Sequence, residues 1–444
     1  MKKFLSNLDA LLITNPTNIR YLTGFVGAAP EEREGYVLLT KSQTFLFTNA
    51  LYREDAKRLI QNPSSFKRLN LLGSRDSKGL TFVEISREEP FAKKLATILM
   101  SVIPGPTRNP SYLKTGSRPA SPERTRGELK GRDDMYGIKL GFEETDLTVA
   151  EFGKLKDELG GVQLIPTKNR IEELRMIKRG DEIENIRAAA TITDQCFDFI
   201  LQKIKPGLPA EASAKVGVTE SEIAWAIESF IRGRGAQLAF SPIVAFGAHT
   251  SQPHYTSIRH RLASSQDDVL QTQNIILLDF GAKVNGYCSD MTRVVFVGKP
   301  KEEWVKAYET VLTAQQSVLD FMTGLNPVME QGSTLKKNYS GSELDRIARE
   351  IIKKAGFPTY PHSLGHGVGL DIHEAPRLRA NPSTGSKKAV TSDSVETLRA
   401  GMIVTVEPGV YIEGQYGIRL EDLILLKEDG IEVLSKSDKQ VIIL

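Results

Sequence analysis

The chain of 444 residues and 49.1 kDa exceeds what a single hydrophobic core usually organises, so two domains are expected. A composition of 40% hydrophobic and 25% charged residues excludes a disordered or fibrous chain, and a net charge of +3 makes no electrostatic case for nucleic acid or an anionic membrane as partner. The two cysteines, Cys196 and Cys288, exclude a disulfide framework and a zinc ribbon, and are expected to be reduced thiols of a cytoplasmic protein.

The opening MKKFLSNLDALLITNP has a short apolar run broken by Asp9 and no small-residue cleavage pattern, so it is expected to be folded chain and not a secretory leader. No apolar stretch approaches the roughly 20 residues that span a bilayer. A strand over Ala10 to Thr14 is followed by runs at Gly35 to Thr40 and Thr44 to Thr48, which predict a hairpin in a smaller α/β domain covering residues 1–168. From Pro104 to Asp134, seven basic and four acidic residues mix with proline, glycine and serine, a composition that predicts a solvated insertion.

The second domain, residues 169–444, opens with a helix whose apolar stripe is Ile183, Ile186, Ala190, Phe197, Ile200 and Ile204, with Asp181 and Glu184 suited to a capping box and Pro206-Gly207 as its stop. Thr219 and Glu222 predict the cap of a second helix that ends at Gly233. Strands are expected over Ile275 to Phe280 and Tyr287 to Val297, joined at Asn285-Gly286. The order recurs, with helices over Glu303 to Leu319 and Ser342 to Ala355 and strands over Ile403 to Ile412 and Ile418 to Leu426. Two helix-helix-strand-strand halves predict a pseudo-twofold domain with its strands in one curved sheet, helices outside and an inner face free for a site. Polar insertions near Ser264 to Gln273, Glu330 to Ser340 and Asn381 to Glu396 are expected to be surface loops.

Four acids interrupt or end strand-like apolar stretches of this domain: Asp279 in LLDFGA, Asp290 in YCSDMTR, Glu407 in TVEPGVY and Glu421 in GIRLED. Burying such charges unpaired is costly. If the inner faces converge, each like-charge pair near 4 Å costs about 4 kcal/mol at an effective dielectric of 20. Divalent cations relieve that repulsion, and four acids with a single imidazole from His366 favour manganese, with cobalt, iron or zinc as alternatives, while four acids suffice to bridge two ions. Three histidines cluster as His362, His366 and His373 in PHSLGHGVGLDIHEAP, and His254 falls in SQPHYT. Glycines punctuate the first of these segments, which lets backbone approach closely and points to function instead of bulk packing. The zinc-protease helix motif, the dinucleotide and phosphate loops and the nucleophile elbow are not present.

On these residues the chain resembles the aminopeptidase P and prolidase branch of the pita-bread metallopeptidases. The resemblance extends to NPTNIRYLTGF near the start and FSPIVAFGAHTSQPHY before the first acid, and covers essentially the whole length. It implies an α+β architecture, with a pita-bread catalytic domain preceded by a creatinase-type α/β domain. It implies that Asp279, Asp290, His366, Glu407 and Glu421 ligate two metal ions, with Asp290 and Glu421 bridging, and that a water between the ions attacks the scissile carbonyl. Glu407 would manage its proton, His254 and His373 would serve the oxyanion and the scissile peptide, His362 would line the proline pocket, and Arg419 would support a ligand carboxylate. The expected activity is release of an N-terminal residue from peptides with proline second, by a homodimer. An Xaa-Pro dipeptidase shares every motif. A methionine aminopeptidase lacks the N-terminal domain, a creatinase-like hydrolase lacks the ligands, and a metal-free binding protein of this fold typically has eroded ligands.

Overall fold

The computed structural model describes residues 4–27, 33–62, 80–103, 135, 137–204, 218–256, 269–270, 273–324, 339–379 and 397–444. The insertions at 104–134 and 381–396, the Pro206-Gly207 stop and most of the segments at 264–273 and 330–340 lie outside the described residues. The chain divides into two compact units, Met1–Glu172 and Glu173–Leu444. No helix among the described residues is long and apolar enough to cross a membrane.

The first unit is built on a six-stranded sheet of β1 (Ala10–Ile13), β2 (Gly35–Thr40), β3 (Thr44–Thr48), β4 (Leu80–Glu84), β5 (Lys139–Glu143) and β6 (Gln163–Thr167), in the order β4-β3-β2-β1-β5-β6. The expected hairpin is there, with Gly35 opposite Thr48 and Leu39 opposite Thr44. The NPTNIRYLTG segment forms α1 (Pro16–Thr23) for local reasons. Asn15 caps it by accepting from Asn18 N, Pro16 needs no donor in the first turn, and Gly24 leaves it at φ 77°. Glu143, at the end of β5, is buried under this helix and accepts from Thr14 N (2.6 Å), Asn15 N (2.8 Å) and Asn18 Nδ2 (2.6 Å). Burial still pushes its carboxyl up to about 7.

In the second unit, α2 (Gly180–Ile204) begins two residues earlier than a cap at Asp181 would start it. The cap is made by Glu182, whose Oε2 accepts from Arg179 N at 3.0 Å, and not by the Asp181–Glu184 pair. The Thr219–Glu222 capping box of α3 (Glu220–Gly233) forms as expected. Strands β7 (Ile243–Phe246), β8 (Asn274–Phe280) and β9 (Met291–Val297) pair antiparallel, and β8 is buried on both faces. Its even positions Ile276, Leu278 and Phe280 pack in the cluster with α2 and α3, and its odd positions Ile275 and Leu277 pack in the cluster with α4 (Glu302–Thr323) and α5 (Gly341–Lys354). That alternation directs Asp279 to the second side. The other half carries β10 (Gly365–Gly367), β11 (Glu374–Leu378), β12 (Ile403–Val406), β13 (Gly409–Ile412), β14 (Tyr416–Arg419) and β15 (Asp422–Lys427).

These strands do not make the single sheet expected. They form separate ladders, because three of the four acids sit where a strand is interrupted. Asp279 pairs with Thr292, so Asp290 lies one step beyond the end of the β8–β9 ladder and not across from Asp279. Glu407 separates β12 from β13, and Glu421 separates β14 from β15. At these breaks the backbone turns to other partners: Glu407 N donates to Leu364 O (2.8 Å) and Glu421 N to Thr292 O (3.2 Å).

Candidate active site

All nine residues singled out in the sequence line one cavity of about 170 Å³: His254, Asp279, Asp290, His362, His366, His373, Glu407, Arg419 and Glu421. Asp279, Asp290, His366 and Glu421 are 7%, 5%, 4% and 2% exposed, so their charges are largely cut off from water. One ligand atom each from Asp290, His366 and Glu421 lies within 4.8 Å of the other two. His366 Nε2 is also 3.4 Å from Glu407 Oε1.

His366 is held by its surroundings. Gly365 and Gly367 on either side let two backbones approach closely: a Cβ on the first would lie 2.0 Å from Thr405 O, and on the second 2.2 Å from Ala375 O. The ring's Nδ1 donates to Gly367 O (3.1 Å), an assignment fixed by the carbonyl acceptor, and this leaves the Nε2 lone pair directed at the acids. Burial, followed by the neighbouring His373, lowers its pKa to about 3. Thr405 Oγ1 accepts from His366 N (3.1 Å) and donates to Glu407 Oε1 (3.2 Å), tying the imidazole to the acid.

Arg419 is the cation among the carboxylates. Its Nη2 donates to Asp279 Oδ2 (2.5 Å), its Nε to Thr292 Oγ1 (3.0 Å) and its Nη1 to Tyr411 Oη (2.9 Å). Thr292 Oγ1 in turn donates to Glu421 Oε2 at 2.7 Å. Tyr411 Oη then meets His362 Nε2 (3.1 Å), whose Nδ1 faces Ser363 O (2.8 Å), so the His362 ring is fixed through both nitrogens. Burial first, then the Arg419 charge, lowers the His362 pKa to about 4. His254 and His373 lie at the exposed side of the cavity, and the His373 ring meets that of His366 edge to face at 4.4 Å.

One guanidinium does not balance four carboxylates. Burial, then Glu421 and Asp279, hold the Asp290 carboxyl well above its ordinary range, and burial followed by Glu421 does the same to Glu407. Burial and Asp279 push Glu421 up to about 7. Asp279 Oδ1 is buried and has no hydrogen-bond partner among the described residues. A bare acceptor in a cavity with excess negative charge fits a divalent cation, which would supply the missing partner and reverse these shifts.

Thr292, Thr405, Tyr411 and Arg377 were not found from the sequence. The two threonines were within reach, because strand alternation places Thr292 on the face of Val294 and Phe296 and Thr405 on the face of Glu407. Tyr411 carried no such signal, since the strand breaks between it and Glu407.

Residues 184–428 match metallopeptidase family M24, and residues 5–102 and 117–177 match the creatinase/prolidase N-terminal domain. An uncharacterized peptidase of Bacillus subtilis is 29% identical over 98% of this chain and 96% of its own length. Among solved structures, an Xaa-Pro dipeptidase from Bacillus anthracis is 30% identical with a TM-score of 0.72, covering 100% of this chain and 98% of that one. An X-Pro aminopeptidase from Thermotoga maritima is 26% identical with a TM-score of 0.69, covering 100% and 99%. With the acids and the imidazole in one cavity and most of the catalytic unit matched, the chain belongs to metallopeptidase family M24, hydrolases of peptide bonds, in its pita-bread form with a creatinase-type N-terminal domain.

Proposed function

We propose that this M24 peptidase hydrolyses the bond preceding proline, and that Xaa-Pro dipeptides are its best substrates. Arg377 carries the second part of this reading. It lines the cavity close enough to His373 for its charge to lower that ring's pKa, after burial, and no carboxylate among the described residues pairs with it. A dipeptide's carboxylate follows directly on its proline ring, and a guanidinium fork matches it. In a longer peptide that position is a neutral amide. Likeness to the solved Xaa-Pro dipeptidase supports the same preference. The aminopeptidase activity expected from the sequence is supported by likeness to the solved X-Pro aminopeptidase and by a cleft of about 560 Å³ that shares Pro253, His254 and His362 with the cavity and offers room for a longer chain.

In this reading Asp279, Asp290, His366, Glu407 and Glu421 would hold two divalent ions, manganese first. When bound, such a pair supplies Lewis acidity toward the scissile carbonyl and makes water nucleophilic at neutral pH. Glu407, its Oε1 held by Thr405 Oγ1, would take the proton of the attacking water and return it to the proline nitrogen. His254 and His373 donate to the developing oxyanion and orient the peptide. The fixed ring of His362, with Phe240 and Ile372, forms a wall for the proline side chain.

Mass spectrometry of products from Xaa-Pro and Xaa-Pro-Xaa peptides tests this. Arg377→Met should lower kcat/KM on dipeptides about 10- to 100-fold, the range for a lost charge-assisted hydrogen bond, and change tripeptide turnover little. If the wild-type protein cleaves tripeptides and leaves dipeptides intact, the aminopeptidase reading replaces this one.

A further inference from the structure

Gln315 lies on the buried face of α4 among Val311, Ala314, Val318 and Met322, and is 0% exposed. An amide in such surroundings is costly unless fully bonded, and this one is bonded unusually. Its Nε2 donates to Val406 O (3.0 Å) and Leu420 O (3.2 Å), while its Oε1 accepts from Lys439 Nζ (3.1 Å). Two carbonyl acceptors on one side and an ammonium on the other leave no ambiguity about which end is nitrogen.

The two carbonyls belong to the residues immediately before Glu407 and Glu421. Each lies in the same rigid peptide plane as the following amide nitrogen and Cα, so fixing the oxygen anchors the point from which the next side chain leaves the backbone. One side chain therefore spans the two strand breaks where ladder hydrogen bonds are missing. The Glu421 peptide is held on its other side as well. Arg293 Nη1 donates to Glu421 O (2.6 Å) and its Nη2 to Asp422 Oδ1 (2.8 Å), while Asp422 Oδ2 takes Lys439 Nζ at 2.5 Å.

We propose that Gln315 is a positioning residue of the metal centre, which sets the separation of the Glu407 and Glu421 carboxylates against their mutual repulsion before any cation binds. This rests on the ligand assignment made above. It requires that removing the amide weakens cation binding beyond what a loss of packing would do.

The test is calorimetric titration of manganese into the metal-stripped full-length protein, with thermal melts of the same samples. Gln315→Leu, which keeps bulk and loses the donors, should weaken at least one of the two manganese sites about 10- to 100-fold, as expected for a group that orients a ligand. Val318→Ala, a packing loss on the same helix, should lower Tm and leave both manganese affinities within about twofold, as expected for a site it does not touch. Equal affinity changes in the two variants, or none in Gln315→Leu, would overturn the proposal. If Gln315→Leu does not fold, Gln315→Glu carries the same expectation, since it keeps the Lys439 contact and removes the donors, and unchanged affinity there overturns it equally. A wild-type protein that binds no manganese overturns the ligand assignment and this proposal together, whereas two tight sites unaffected at residue 315 overturn this proposal alone.

Discussion

His366 and His373 stack edge to face 4.4 Å apart, yet their positions require different failures. His366 is buried with its Nε2 aimed at Asp290 and Glu407, whereas His373 lies at the exposed side of the cavity. His366→Ala should therefore lower metal content and abolish turnover together. His373→Ala should keep both ions and lose turnover by a factor of about 100 to 1,000, the size of one preorganised donor to a developing charge. Elemental analysis of the purified variants beside their steady-state kinetics checks the pair, and an emptied site in His373→Ala with both ions kept in His366→Ala would reverse the assignment. At this scale the sequence was most informative: all nine chosen side chains share one cavity, because charged groups inside apolar strands have few physical justifications other than convergence. Arg377 stayed hidden, as one basic residue among many, until its place on the cavity wall was visible.

Elements were legible where their signal is local. The Thr219–Glu222 box and the Gly35–Thr48 hairpin depend on neighbours in the chain and came out as expected, and the Asn285-Gly286 turn, at φ 49° and 87°, is there but closes a short hairpin of Ala282–Val284 with Tyr287–Cys288 and does not join the two long strands directly. The Asp181–Glu184 cap did not form, because Glu182, accepting from Tyr287 Oη at 2.7 Å, is drawn into the interior and brings the cap with it. Long strands were misjudged for a related reason. Ile403 to Ile412 reads as one apolar run, but Glu407 interrupts it, and its backbone is satisfied by Leu364 from a strand-like segment distant in sequence. Hydrophobic pattern records burial and says nothing about which carbonyl a given amide will find.

For the catalytic unit as a whole, the cavity is a source of instability that grows with pH. Without metal, Glu421 is pushed up to about 7, above the ordinary value near 4.5. The folded chain then holds a proton that the unfolded chain releases, so its stability is fullest below about pH 4.5 and falls as pH rises through 7. Each tenfold change in proton affinity is worth about 1.4 kcal/mol, or roughly 3–6 °C in Tm at the scale of a 150–250-residue domain. Manganese needs these ligands deprotonated, so the Tm gained by adding it to chelated protein should be larger at pH 8 than at pH 5.5. An equal gain at both values would mean that the acids are not the ligands. The two cysteines offer a view of the same unit from inside. Cys196 is sealed between α2 and α3, and Cys288, two residues from Asp290, is held with its amide on Gly369 O (2.8 Å) and its thiol toward Leu370 O. Burial pushes both thiols up to about 12, so neither reacts while its surroundings stay closed. They are built-in clocks: alkylation of Cys288 times the opening of the strip that joins Asp290 to the His373 loop, alkylation of Cys196 times the parting of the helical layer, and manganese should slow the first clock far more than the second.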